Sequence, residues 1–153
     1  MHGDFCFRPF PIRRHNRTIL CLGNPSCQTA FVDTIAILGA SADRAKFGNR
    51  AVRAFLQAGY TVYPVNPKEA VIEGQPAFAR IGEVPVRPGK ISVYLPPPVL
   101  LKLLPDIAAR GCDELWLNPG TESPEVLAEA ARLGLKVVQA CSIIGAGFRP
   151  AEL

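Results

Sequence analysis

The stretch from Thr34 to Gly59 (TIAILGASADRAKFGNRAVRAFLQAG) restricts the fold more than any other part of the chain. Ile35 to Leu38 form a short, β-branched apolar run suited to a buried strand. Gly39 ends the run, and a small polar loop follows through Ala40, Ser41, Ala42, Asp43, Arg44, Ala45 and Lys46. From Gly48 the period becomes helical: Gly48, Ala51, Val52, Phe55, Leu56 and Gly59 share one stripe, while Asn49, Arg50, Arg53 and Gln57 take the polar face. Strand, glycine turn and helix in this order are the first half of a βαβ unit.

Such a turn aims the unpaired N–H groups and positive dipole end of a helix at the space above the strand, which suits a phosphate. Arg44, Lys46 and Arg50 add full charges nearby. The plainer reading is that Gly39 and Gly48 only permit a tight turn and close helix packing. The spacing is not G-x-G-x-x-G, so the dinucleotide fingerprint is missing. A nucleotide site is expected, but not one for the usual dinucleotide.

Later segments repeat the alternation. Tyr60 to Val65 is a second strand ending in Asn66-Pro67-Lys68, where an NAD-binding fold would place a carboxylate for the ribose hydroxyls. Asn66 can donate a hydrogen bond and Lys68 carries a positive charge, so a phosphorylated ribose, as in CoA or NADP, suits this end better. The alternative is an ordinary Asn-Pro turn with a solvated lysine. Residues 69–90 read mainly as connection, with a small strand near Val71-Ile72 and a helical turn at Ile81 to Val84. Ile91 to Leu95 is the next central strand, stopped by Pro96-Pro97-Pro98. Val99 to Arg110 is helical, with Pro105 either kinking one helix or opening a second. Leu115 to Leu117 is a strand leading into Asn118-Pro119-Gly120-Thr121-Glu122. Ser123 caps the following helix, which Gly134 ends. Lys136 to Gln139 is the last strand, with Cys141 just beyond it.

These pieces give an α/β fold: a Rossmann-like, doubly wound, mainly parallel five-stranded sheet with helices on both faces. In that topology the polar segments 41–46, 66–68, 96–98 and 118–122 all follow strands and meet on the carboxyl edge, where open α/β sheets bind ligands. At 153 residues the chain is large enough for one domain with a real core. Its charge of +4 is too mild and scattered for a nucleic-acid face, and no apolar run approaches membrane-spanning length.

Residues 1–33 differ from the rest. They hold Cys6, Cys21 and Cys27, both histidines (His2 and His15) and Met1, without sustained periodicity. They are expected to form a poorly ordered arm, or not to be translated at all, since a valine codon such as that of Val32 can serve as a start. Residues 34–153 then form the domain. The cysteines lack paired metal-site spacing, and no metal site is expected. Cysteines without an export signal point to reduced thiols and a cytoplasmic location.

The segments GASADRAKFGNRA, YPVNPK, YLPP, ELWLNPGTES and VVQACS together resemble the CoA-binding domain family. These are small, single-domain, Rossmann-like proteins similar to the CoA-binding portion of the succinyl-CoA synthetase alpha subunit. The resemblance covers about residues 34–147; the segment after Cys141, SIIGAGFRP, matches no motif. It implies coenzyme A or an acyl-CoA as ligand. Gly39, Ala40, Ser41, Lys46 and Gly48 would hold the pyrophosphate, with Arg44 beside them. Asn66, Pro67 and Lys68 would hold the adenosine end, Pro96 and Pro97 would border the pantetheine, and Asn118, Pro119, Gly120, Thr121 and Glu122 would line the far side.

Catalytic groups are scarce. The synthetase works through a phosphorylated histidine, and residues 34–153 contain none. Glu122 is read as a base or as a partner for a helix dipole; Cys141 as a nucleophile, a site of mixed disulfide with CoA, or a small buried hydrophobe. No triad or carboxylate pair is evident. The expectation is a binding module rather than an enzyme. The rivals are an NADP-dependent oxidoreductase and a non-catalytic subunit of an acyl-CoA-processing complex, with a homo-oligomer or an acyl-CoA enzyme partner left open.

Overall fold

The computed structural model describes residues 33–153, and the expected arm lies outside them apart from Asp33. The first strand, β1 (Thr34–Leu38), leads into helix α1 (Phe47–Gln57), and β2 (Thr61–Val65) returns alongside β1. A small hairpin of β3 (Val71–Ile72) and β4 (Gln75–Pro76) follows. Then come a 3-10 turn at Ile81–Glu83, β5 (Lys90–Val93), α2 (Pro97–Arg110), β6 (Glu114–Leu117), α3 (Pro124–Arg132) and β7 (Val137–Gln139). A short helix, α4 (Ser142–Gly145), and a 3-10 turn at Pro150–Glu152 finish the chain.

Five strands pair in parallel in the order β2-β1-β5-β6-β7. The strands expected from the sequence are all present, and the sheet is the anticipated Rossmann-like one. Its order reverses between β1 and β5, and at such a reversal the loops leaving the two strands diverge and open a crevice.

Alternation in β1 shows how the two faces are filled. Ile35 and Ile37 pack with Ala51, Val52 and Phe55 of α1 and with Ile143 of α4. Ala36 and Leu38 point the other way, into a cluster with Leu100, Leu104 and Ile107 of α2 and Val126 and Ala130 of α3. A strand buried on both faces has to be apolar throughout, which is why the run reads unbroken. Pro64 is accommodated because β2 is the outer strand. Beyond it, Phe78 forms a parallel bridge to Val65 and covers part of that edge.

Helix ends follow local chemistry. Gly59 takes φ +82 after α1, and the N–H groups of Gly59 and Tyr60 reach back to Leu56 O and Phe55 O. Ser123 Oγ accepts from the Val126 N–H at 3.2 Å and caps α3. Pro105 lies inside one continuous α2, which settles the choice that the sequence left open. Strand β5 stops at Val93, two residues earlier than the apolar run suggests, and Tyr94 makes one further bond to Leu38 O at 2.8 Å. No helix of the described residues is long and apolar enough to cross a membrane.

Leu104 is fully buried in α2, whereas Leu101 on the same helix is 36% exposed. Leu104→Ala should cost about 2–5 kcal/mol of stability through lost burial and a cavity. Leu101→Ala should stay within about 0.5 kcal/mol. Urea denaturation of the two variants checks the assignment of the core.

Candidate functional site

Gly39 and Gly48 build the floor of the site by bringing two backbones together. Gly39 has φ +81, and a Cβ there would lie 2.6 Å from the Tyr94 carbonyl oxygen. A Cβ on Gly48 would lie 2.2 Å from the Gly39 carbonyl oxygen. Neither position admits a side chain: bare Gly48 lets the first turn of α1 rest directly on the end of β1, and bare Gly39 lets that turn lie against the end of β5. The glycines permit close packing, and that packing leaves the helix start open to the crevice.

Helix α1 begins uncapped. Lys46 occupies the cap position without a side-chain cap bond, and the first turn holds no acidic residue. Among the described residues, no hydrogen bond uses the N–H of Phe47 or of Gly48. These groups and the dipole end give the crevice a positive wall. The cleft measures about 460 Å³ and is lined by Gly39, Lys46, Phe47 and Gly48, by Tyr94, Leu95 and Pro96, and by Pro119, Gly120 and Thr121. It therefore joins the carboxyl ends of β1, β5 and β6.

Of the residues singled out from the sequence, Gly39, Lys46, Gly48, Pro96, Pro119, Gly120 and Thr121 meet at this cleft. The others stand around it in different roles. Ala40 is fully buried, and Ser41 is nearly so, its Oγ accepting from the Asp43 N–H at 3.1 Å. Asn66 ties two loops together: its Nδ2 donates to Ala40 O at 2.7 Å, and its Oδ1 accepts from the Lys68 N–H at 2.8 Å. Pro67 and Lys68 are exposed beyond it. Pro97 starts α2. Arg44 pairs with Glu73 at 3.3 Å. Arg50, counted from the sequence among the full charges near the turn, donates to Pro150 O at 3.0 Å and lies 5.3 Å from the Phe47 ring centre. Its guanidinium is engaged by the C-terminal turn.

Asn118 is a buried hub below the cleft. Its Nδ2 donates to Ser92 Oγ at 2.9 Å and Val93 O at 2.8 Å, while its Oδ1 accepts from the Ser142 N–H at 2.8 Å. Ser142 Oγ in turn lies 2.7 Å from Ser92 Oγ and 2.9 Å from Tyr94 OH. Burial pushes the Tyr94 phenol up to about 12, outweighing the opposite pull of the Ser142 and Ser92 hydroxyls. This network fixes the otherwise unmatched segment after Cys141 against β5 and β6. The sequence identified Asn118 but offered no sign of its partners, because Ser92 and Ser142 have no local motif.

Glu122 turns back on its own loop. Its Oε2 accepts from the N–H groups of Gly120 at 2.9 Å and Thr121 at 3.0 Å, and Thr121 Oγ1 donates to Asn118 O at 2.7 Å. A carboxylate held by two amides is a loop brace, closer to the dipole-partner reading than to the base. Asn49 differs from the sequence expectation. Periodicity set it on the polar face, yet it is fully buried, because its carboxamide reaches the loop and the β3–β4 hairpin. Cys141 is half-buried against the α1 face of the sheet. Burial pushes the Cys112 thiol up to about 11. Among the described residues, no group of three or more His, Cys, Asp and Glu side chains could hold a metal ion.

Comparison with known proteins agrees with this architecture. The family model described as CoA binding domain matches residues 33–146. A conserved hypothetical protein from Pyrococcus furiosus is 31% identical, with a TM-score of 0.69 over 74% of this chain and 98% of that one. The Thermus thermophilus protein called cell-free ID.343 is 30% identical, with a TM-score of 0.69 over 74% of this chain and 87% of that one. The acetyl-coenzyme A synthetase 1 of Candidatus Korarchaeum cryptofilum, solved with phosphate and ADP, shares the fold at 24% identity and a TM-score of 0.63. The match spans 71% of this chain and 25% of the synthetase.

Two outcomes are expected of the hub. Asn118→Ala orphans the buried Ser142 N–H and Val93 carbonyl, and should cost roughly 2–4 kcal/mol by urea denaturation. For Tyr94, the folded pKa of about 12 exceeds the reference value of 10.0. The unfolded chain loses this proton first, so the Tyr94 contribution is intact below pH 10 and is lost as pH rises towards 12. The loss is on the order of 2 kcal/mol. Tyr94→Phe should flatten that alkaline decline relative to wild type.

Proposed function

Because this chain belongs to the CoA-binding domain family, we propose that it binds coenzyme A or an acyl-CoA across the carboxyl edge of the sheet. The observation that carries this reading is the uncapped start of α1. The free N–H groups of Phe47 and Gly48, with Lys46 beside them, open onto a cleft at the reversal of strand order. The two glycines, whose Cβ atoms would strike backbone, let the first turn of α1 rest on the end of β1, so that those amides stand at the cleft. A cleft of about 460 Å³ falls in the usual range for ligand sites. The residues therefore fit a pyrophosphate-bearing ligand.

In this reading the pyrophosphate lies against Gly39, Ala40, Ser41 and the amides of Phe47 and Gly48, with Lys46 and Arg44 supplying charge. Lys68 meets the phosphate on the ribose, and Asn66 with Pro67 shapes the adenosine end. Pro96 and Pro97 border the pantetheine arm. Pro119, Gly120 and Thr121 form the opposite wall, braced by Asn118 and Glu122 from behind. Coenzyme A supplies a thiol that carries acyl groups; the chain's own residues bind and orient it, and none is assigned a chemical step. The binding unit is residues 34–153. A second reading is a non-catalytic module whose chemistry is supplied by another protein. An acetyl-coenzyme A synthetase, of which the chain matches 25%, shares the fold and supports that second arrangement.

The reading makes Lys68 a discriminator. Calorimetry should show tighter binding of CoA than of dephospho-CoA. Lys68→Ala should narrow the gap by about 1.5 kcal/mol, the low end for a hydrogen bond to a charged group, because Lys68 is exposed. Equal affinity of the wild type for both ligands would remove Lys68 from the site. Native mass spectrometry of the purified protein should also show a retained mass of CoA or an acyl-CoA.

A further inference from the structure

The turn between β3 and β4 holds the one non-glycine residue with positive φ among the described residues, Glu73 at φ +48, followed by Gly74 at φ +76. Ile72 and Gln75 pair across it, so Glu73 and Gly74 are the two central residues of a tight hairpin turn. Two successive positive φ values favour Asn-Gly, Asp-Gly or Gly-Gly. Glutamate is a poor choice for the turn itself, and a residue held in strain points to a role elsewhere.

Its carboxylate has such a role within reach. Glu73 Oε1 accepts from Asn49 Nδ2 at 3.0 Å and lies 3.3 Å from Arg44 Nε. Asn49 is fully buried and completely satisfied: the same Nδ2 donates to Ser41 O at 2.8 Å, and Oδ1 accepts from Arg53 Nε at 2.9 Å. Arg53 also reaches Arg44 O at 3.3 Å. Two points within the β1–α1 loop, Ser41 and Arg44, are thus fastened to α1 and to the hairpin around one carboxamide and one carboxylate.

We propose that Glu73 is a positioning residue for the anion site, holding the β1–α1 loop in shape through Asn49. The proposal rests on the binding reading above. The two contacts of Glu73 differ in weight. The Arg44 side chain is 66% exposed, so its ion pair is largely screened by water. The bond to buried Asn49 is the one whose loss leaves a donor without a partner. Glu73 therefore acts through Asn49 more than through charge.

Two variants separate these contributions. Glu73→Asn suits the turn better but is one methylene shorter and neutral, so it gives up both contacts. Glu73→Gln keeps the length and an oxygen acceptor for Asn49 and gives up only the charge. Calorimetry with CoA should show roughly a tenfold rise in Kd for Glu73→Asn, the scale of one charge-assisted hydrogen bond. Glu73→Gln should stay within about threefold of wild type, the scale of an exposed ion pair. Hydrogen exchange of ligand-free protein should show faster exchange at residues 41–46 in Glu73→Asn only, with β5 and α2 unchanged. Wild-type affinity together with unchanged exchange in Glu73→Asn would overturn the proposal. Equal losses in both variants would overturn the route through Asn49. If wild type binds no CoA, the binding reading fails by itself, and the exchange experiment still decides whether Glu73 orders the loop.

Discussion

The contact between Gly39 and Gly48 is the constraint on which the rest of the site depends. A Cβ on Gly48 would fall 2.2 Å from the Gly39 carbonyl oxygen and push α1 off β1, and a Cβ on Gly39 would fall 2.6 Å from the Tyr94 carbonyl oxygen and push the same turn off the end of β5. That approach sets the helix start directly above the strand end. It aims the free amides of Phe47 and Gly48 into the crevice and leaves Lys46 at its rim. The same approach keeps Ala51, Val52 and Phe55 on the sheet, so core and site share one cause.

Around this contact the polar residues of the carboxyl edge divide into two groups. Asn66, Asn118 and Asn49 direct their side chains inward, each bridging segments that leave different strands or helices, while Glu122 braces its own loop. Buried amides used in this way cost little when fully bonded, and they hold irregular backbone in one conformation. Lys46, Phe47, Pro96, Pro119 and Gly120 face the cleft instead, and Lys68 stands exposed beyond Asn66. A rigid inner ring therefore carries a sparse outer one. That division accounts for a ligand site made mostly of backbone, proline and a few cations.

The fold was largely legible because a parallel sheet leaves local traces. Unbroken runs such as Ile35 to Leu38, a change of period at Gly48, and caps such as Ser123 and Gly134 are each decided within a few residues. The convergence of the loops at one edge followed from topology alone. What stayed hidden depends on distant partners. Asn49 sits at a polar position of an amphipathic repeat, and only the hairpin 24 residues further on makes it a buried one. Tyr94 and Ser142 gain meaning only through Asn118, and no periodic pattern marks Glu73. Pro105 was ambiguous because a proline's effect on a helix depends on tertiary packing, and here packing against β5 and α3 keeps α2 whole.

The central claim is that the open start of α1 receives the diphosphate of a CoA ligand. Amide chemical shifts recorded while CoA is titrated into the full chain test it most directly. The account predicts the largest changes at Phe47, Gly48 and Gly39, with smaller ones at Lys68, Tyr94 and Gly120, all saturating together. Changes confined to α3 and β7, or none at saturating CoA, would contradict it.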